Sequence, residues 1–170
     1  MSKIEKMNKR GFTLIELLIV ITIIGILIAI SVTGYIGVTL KAARSEAYSN
    51  LNSLRLLEEQ FFAENACYQP LVGGACPAAG NFPNTAAIQG VLRGFRPGTG
   101  LSFTYRIDMN QQLTGGGGNT TGNPPGTAAI AAGAPPCFVA TATGIAGTRV
   151  CQNAANCDMF AIDCNNIRNF

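Results

Sequence analysis

The stretch NKRGFTLIELLIVITIIGILIAISV, residues 8–32, decides the fold. After Glu16 the next charged residue is Lys41, so residues 17–40 form a run of 24 uncharged positions. A helix rises about 1.5 Å per residue, so this run crosses a hydrocarbon core of about 30 Å with length left to tilt. Lys3, Lys6, Lys9 and Arg10 precede it, opposed only by Glu5. Basic residues before an apolar span stay cytoplasmic, which sends the rest of the chain outward. A cleaved secretory signal has a shorter apolar region, with its small-residue cleavage site after it. Here Gly11 stands before the run. A plain membrane anchor leaves Glu16 unexplained, because an ionised side chain at the bilayer centre costs about 2.5 kcal/mol or more.

Charge and composition narrow the function. The 170 residues carry a formal charge of +3, all of it from the first eleven positions. From Phe12 onward, eight Lys/Arg balance eight Asp/Glu. The basic balance therefore does not signal a nucleic-acid surface. The chain has no His and no Trp. Without His, most general-base, nucleophile-activating and zinc arrangements are closed to it. No acid–base or nucleophile constellation is visible, so the chain reads as a structural protein, without cofactor or metal, rather than an enzyme.

The segment KRGFTLIELLIVITIIGILIAI closely resembles the N-terminus of type IV pilins and type II secretion pseudopilins, with its overall pattern most like a type IVa pilin. The resemblance is near-continuous from Arg10 to Ile30. It implies a basic leader, residues 1–11, cut by a prepilin peptidase between Gly11 and Phe12. It further implies N-methylation of Phe12 and a requirement for Glu16 in assembly. The physics agrees. A cationic α-amine in an apolar bundle needs a carboxylate partner. Residues 12 and 16 are an i,i+4 pair within one helix. Between stacked subunits, Glu16 of one chain can meet the Phe12 amine of another and set the axial register. One departure stands out: Thr33 occupies a place where many family members have Pro. Gly25, Gly34 and Gly37 are the remaining weak points of the helix, each costing about 1 kcal/mol relative to Ala.

Beyond the membrane run, Ala43, Ala47, Leu51, Leu54, Leu57 and Phe61 recur at helical spacing, while Arg44, Glu46, Arg55, Glu58 and Glu59 lie mostly off that stripe. No Pro interrupts residues 12–66. One helix over residues 12–65 is expected, its half 12–38 in the membrane or the filament core. Residues 67–98 read as a loop with a helical turn around 86–92. LSFTYRID (101–108), CFVATATGI (137–145) and DMFAIDC (158–164) read as strands, and TRVCQ (148–152) as a weaker fourth. Residues 114–136, rich in Gly, Ala and Pro, read as a mobile loop. No Lys follows its glycines, so it is not a phosphate-binding loop. NTT at 119–121 matches a glycosylation triplet of a kind common by chance. The fold class expected is α+β: a long N-terminal helix, its hydrophobic half protruding, packed on a small antiparallel sheet domain over residues 66–170.

Cys67, Cys76, Cys137, Cys151, Cys157 and Cys164 all follow the membrane run. There is no C-x-x-C and no His, so zinc and haem readings fail. Disulfides in an exported domain remain. Six Cys allow fifteen connectivities. Proximity favours Cys67–Cys76, Cys137–Cys151 and Cys157–Cys164. For Tyr35, Tyr48, Phe61, Phe62 and Tyr68, packing between neighbouring helices is favoured over electron transfer. Arg93, Arg96 and Arg106, interleaved with Phe95, Phe103 and Tyr105, read as solvated sheet-edge charges rather than a DNA patch.

The resemblance implies a pilin that polymerises with copies of itself for adhesion, twitching motility or DNA uptake. Its implied partners are prepilin peptidase, an inner-membrane assembly platform and the membrane itself before assembly. Nucleic acid is a partner only of a DNA-uptake pilin. The implied location is the inner membrane, single-pass with a periplasmic C-terminal domain, then the extracellular pilus. The alternatives are a secretion pseudopilin and a minor pilin that primes or tips a filament. A major pseudopilin usually carries a calcium site of acidic residues near the C-terminus, where this chain has only Asp158 and Asp163.

Overall fold

The computed structural model describes residues 11–69, 80–115, 125–153 and 155–170, apart from the side chains at 32 and 33. The leader residues 1–10, Cys76, the triplet at 119–121 and the central part of the glycine-rich segment lie outside the described residues. The elements are α1 (Leu14–Asn65), β1 (Asn81–Phe82), α2 (Thr85–Val91), β2 (Phe103–Met109), β3 (Gln111–Leu113), β4 (Thr127–Ala129), β5 (Phe138–Gly144) and β6 (Met159–Asp163). A long helix followed by a small antiparallel sheet domain is an α+β fold. The chain divides into two compact units, residues 1–39 and 40–170.

Within residues 11–39, α1 runs through Gly25, Gly34 and Gly37 without interruption. Its polar side chains turn inward on the helix itself. Thr22 Oγ1 donates to Leu18 O at 2.7 Å, and Ser31 Oγ donates to Leu27 O at 2.7 Å. Thr39 Oγ1 lies 3.0 Å from both Tyr35 O and Ile36 O. Such back-bonding satisfies the hydroxyls of Thr22, Ser31 and Thr39 without water, as suits a lipid-facing helix.

The second unit is built on the outer half of α1. Ala47, Leu51 and Leu54 are fully buried against a four-stranded sheet of order β1-β2-β5-β6, antiparallel throughout. Strand β2 alternates, burying Phe103, Tyr105, Ile107 and Met109. Phe138, Ala140 and Ala142 of β5 and Phe160 and Ile162 of β6 join the same core. A non-glycine residue with positive φ, Asn110 at 55°, then turns the chain out of β2 and into β3. Strands β3 and β4 form a separate two-stranded sheet, and Leu113 packs with Val139 of β5 and Ala161 of β6. That second apolar cluster buries Val139 and Ala161 on the face of β5 and β6 opposite the main core.

Four sequence expectations are corrected here. TRVCQ is a tight turn, not a strand: Cys151 N donates to Thr148 O at 3.1 Å, and Thr148 N to Ile145 O at 3.1 Å. The additional sheet strand is β1, which falls in the segment expected to be loop. It is only two residues long and takes its position from pairing with β2 at Asn81↔Asp108 and Phe82↔Ile107. The supposed loop 114–136 holds β4, paired through Gln111↔Ala129 and Leu113↔Thr127. A Thr-Ala-Ala segment has little intrinsic strand preference, so the pairing partner determines it. Finally, the buried stripe of α1 continues from Leu54 to Glu58, which is fully buried, while Leu57 is only partly so. Positions 57 and 58 flank the same seam, and the chain returning after α1 covers the Glu58 side.

Close approaches at two glycines separate a tolerant site from an intolerant one. A Cβ on Gly94 would lie 2.7 Å from the Leu57 Cδ2 tip, which can rotate away. On Gly144 it would lie 2.9 Å from the Val150 carbonyl oxygen and 3.1 Å from Cys151 Cβ. Neither can move without shifting the turn. Gly144→Ala will therefore lower unfolding free energy by about 1–3 kcal/mol, and Gly94→Ala by much less. Urea denaturation of the two variants side by side checks the ranking.

Candidate processing and assembly site

Gly11, Phe12 and Thr13 precede the first helical residue, Leu14, so the Gly11–Phe12 peptide lies outside α1. Phe12 is 84 % exposed. Glu16 is placed by a reciprocal contact with Thr13. Thr13 Oγ1 accepts from Glu16 N at 3.3 Å, while Glu16 Oε2 accepts from Thr13 N at 3.4 Å and from Thr13 Oγ1 at 3.3 Å. This is a capping box, in which a Thr and a Glu three residues later satisfy each other's free helix-end donors. Its Thr-x-x-Glu signal is visible in the sequence at 13–16. The carboxylate also sits at the positive end of the helix macrodipole, which stabilises it. Glu16 is thus held over the residues next to the Gly11–Phe12 bond.

Downstream of Glu16 the helix presents apolar side chains all round. Leu17, Leu18, Ile19, Ile21, Ile23, Ile26, Leu27, Ile28 and Ile30 are all exposed within the chain. Among the described residues α1 is the one helix long and apolar enough to cross a membrane, by length and composition. A helix apolar on every side is suited to lipid or to a bundle of like helices, not to water.

Two of the three proximity pairs, Cys137–Cys151 and Cys157–Cys164, are corrected by the structure. Cys137 bonds to Cys164, and Cys151 to Cys157. Cys137 precedes β5 and Cys164 follows β6, and the register Val139↔Asp163 brings these two strand ends together. Neighbours in the sheet override neighbours in sequence. Cys67 is also disulfide-bonded, and Cys76 lies outside the described residues.

The remaining candidates are occupied structurally. Tyr48 stacks on Phe170 at 4.3 Å and meets Phe160 edge-on at 4.9 Å. Phe62 stacks on Tyr68 at 4.7 Å. Tyr48, Phe62 and Tyr68 pack inside their own globular unit, and Tyr35 is exposed. Phe95, Phe103 and Tyr105 are buried in the core, so they offer no stacking face beside the arginines. Arg106 is taken by Asp108, with Nη2–Oδ1 at 2.6 Å. Arg44 grips Asp158 with two contacts, Nε–Oδ2 at 2.7 Å and Nη2–Oδ1 at 3.1 Å. This fork-to-fork pair raises the guanidinium above its ordinary pKa. Asp163 is fully buried and accepts from Leu113 N at 3.1 Å and Ile167 N at 2.9 Å. Both aspartates that a calcium site would need are committed to structural bonds.

The site is therefore a capped, exposed helix N-terminus leading an apolar helix, and a disulfide-bonded sheet domain follows in the sequence. The family model described as the prokaryotic N-terminal methylation motif matches residues 6–32, which include Gly11, Phe12 and Glu16. Over 76 residues the chain is 43 % identical to the type IV major pilin protein PilA of Myxococcus xanthus (strain DK1622). The match covers 44 % of this chain and 34 % of that protein, so the chain aligns to about a third of its relative's length. No solved structure matches the chain. Both findings liken the N-terminal part of the chain to type IV pilins.

Proposed function

We propose that this chain is the structural subunit of a type IV pilus, made as a prepilin. Residues 1–11 are the leader, a prepilin peptidase cuts between Gly11 and Phe12, and Phe12 is N-methylated. Residues 12–38 lie in the inner membrane before assembly and in the filament core after it. Residues 66–170 form the disulfide-stabilised domain, periplasmic first and then on the pilus surface. The observation that carries this reading is the methylation motif heading a helix whose apolar side chains are exposed among the described residues. An assembly platform lifts the subunit from the lipid, and helices of other copies replace lipid around residues 17–40. Dispersion and packing supply the adhesion, and the Phe12 amine with Glu16 of a neighbouring copy supplies the register. The protein works by assembly rather than by catalysis, and adhesion, twitching motility or DNA uptake is the task of the filament.

The likeness to a major pilin favours the pilus over a secretion pseudopilus or a minor tip subunit. Imaging of sheared filaments with mass spectrometry of their main component tests this. The expected species begins at N-methylated Phe12 and makes up most of the filament mass. A trace of this chain in filaments built from another subunit would make it a minor pilin. Its absence from surface filaments, with loss of protein secretion on deletion, would make it a pseudopilin.

A further inference from the structure

At the end of α1 the chain reverses on a single residue. Ala66 donates its N–H to Phe62 O at 2.8 Å and sits at φ 57°, in the left-handed region, as a helix C-terminus often requires. Residues 67–69 then fold back along the last turns of the helix and are buried there. The ring of Tyr68 lies between Phe62 at 4.7 Å and Phe138 at 4.8 Å, and its hydroxyl donates to Glu59 Oε1 at 3.2 Å. Gln69 N donates to Glu58 Oε2 at 2.9 Å. Glu58 itself is fully buried, in the seam where Ala47, Leu51 and Leu54 lie. Its other oxygen, Oε1, has no hydrogen-bond partner among the described residues, and neither has the buried Nε of Arg55 one turn earlier. A carboxylate in such a place is costly to ionise, because a half-satisfied buried charge loses hydration without full replacement.

From this geometry we infer that Glu58 is a pH-sensitive latch: its neutral carboxyl closes the returning turn 66–69 onto α1, and ionisation in mildly alkaline solution opens it.

The charges around the latch favour this direction. Burial pushes the Glu58 carboxyl up to about 8, the Gln69 N–H opposes that, and the charge of Glu59 adds to it. On the same helix the other charged neighbour is Arg55, and the returning turn contributes Tyr68. The sheet face beneath contributes Tyr105, held by Asn50 Nδ2 at 2.7 Å about two helical turns before Glu58, and apolar side chains. Burial pushes the phenols of Tyr68 and Tyr105 up to about 12, so neither titrates while Glu58 does. Because the folded carboxyl binds its proton more tightly than the unfolded one, its stabilising effect is complete below about 4.5 and is lost as pH rises to about 8.

The test is amide exchange at Gln69 between pH 5 and 9.5 on the full chain in detergent micelles, corrected for intrinsic exchange chemistry. Wild type should lose protection at Gln69 at least tenfold between pH 7 and 9, while amides of β5 stay protected. Glu58→Gln, of the same shape but without a proton to lose, should give a flat profile with the turn closed. Glu59→Gln should keep the transition, moved to lower pH by removal of the adjacent negative charge that holds the Glu58 proton on. Unchanged protection of wild-type Gln69 through pH 9.5 would overturn the latch. So would a transition that persists in Glu58→Gln or disappears in Glu59→Gln.

Discussion

Glu16→Gln and Glu16→Leu will both leave the chain inserted and cut after Gly11, and both will reduce filament yield at least a hundredfold. Two roles for Glu16 now compete. The capping box with Thr13 stabilises the helix start by about 1 kcal/mol, too little to decide assembly. Pairing with the amine freed at Phe12 is a larger effect. Leaving a buried cation without its partner costs about 3–5 kcal/mol, and each 1.4 kcal/mol is tenfold in an equilibrium constant. Gln separates the two, since Gln serves in a capping box as Glu does but carries no charge. Thr13→Ala is the converse: it removes the cap and leaves the charge, so its yield should fall by no more than about tenfold. Sheared surface pilin, measured against mature pilin in the membrane, gives the comparison. Near wild-type filaments from Glu16→Gln would assign Glu16 to helix capping alone and remove the pairing mechanism.

The two roles also fit one sequence of events. In the uncut chain no amine exists at Phe12, and the carboxylate is held by Thr13 at the helix end. Removal of residues 1–11 would place a cation one residue from that contact. On the proposed processing, the capping box would keep an acid in an apolar segment satisfied until its second partner is made.

The legible and illegible parts of this chain differ for physical reasons. The helix from residue 14 to Asn65 was readable because a long apolar run and a heptad-like stripe are local signals, free of Pro. Strands β2, β5 and β6 were readable because each carries β-branched and aromatic residues in a short block. β1 and β4 were not, since two- and three-residue strands take their identity from a partner strand distant in sequence. The pairings of Cys137, Cys151, Cys157 and Cys164 are illegible for the same reason: pairing depends on which strands are neighbours, and the order β1-β2-β5-β6 is not a local property. Glu58 is a different case. Its place four residues after Leu54 put it at the edge of the stripe, but charged residues are rarely fully buried, and that expectation moved it outside. Thr13 was overlooked although its motif is local, because the acid three residues later already had a role in assembly.

The disulfides lead to the other large effect. Replacing Cys137 and Cys164 by Ser should destabilise the globular unit more than replacing Cys151 and Cys157. The first pair closes a chain separation of 27 residues and the second one of 6. Loop-closure entropy gives about 3.5 kcal/mol for the first and about 2.2 kcal/mol for the second. The positions widen the gap. Cys137–Cys164 ties β5 to β6 at the ends remote from the turn that joins them, where the strands have no covalent link. Cys151–Cys157 lies within that turn, which Gly144 N to Asp158 O at 2.9 Å and Asp158 N to Val150 O at 2.8 Å already hold closed. Removing it costs unfolded-state entropy but leaves the turn its backbone bonds. Urea midpoints of the two double-serine variants in micelles, at equal m-value, should rank in this order. Peptide mapping without reduction should recover the same two pairs. Equal midpoints, or a larger loss from the turn pair, would mean that β5 and β6 are held by their ladder alone. The bond across their open ends would then have no part in resisting the shear a surface filament meets.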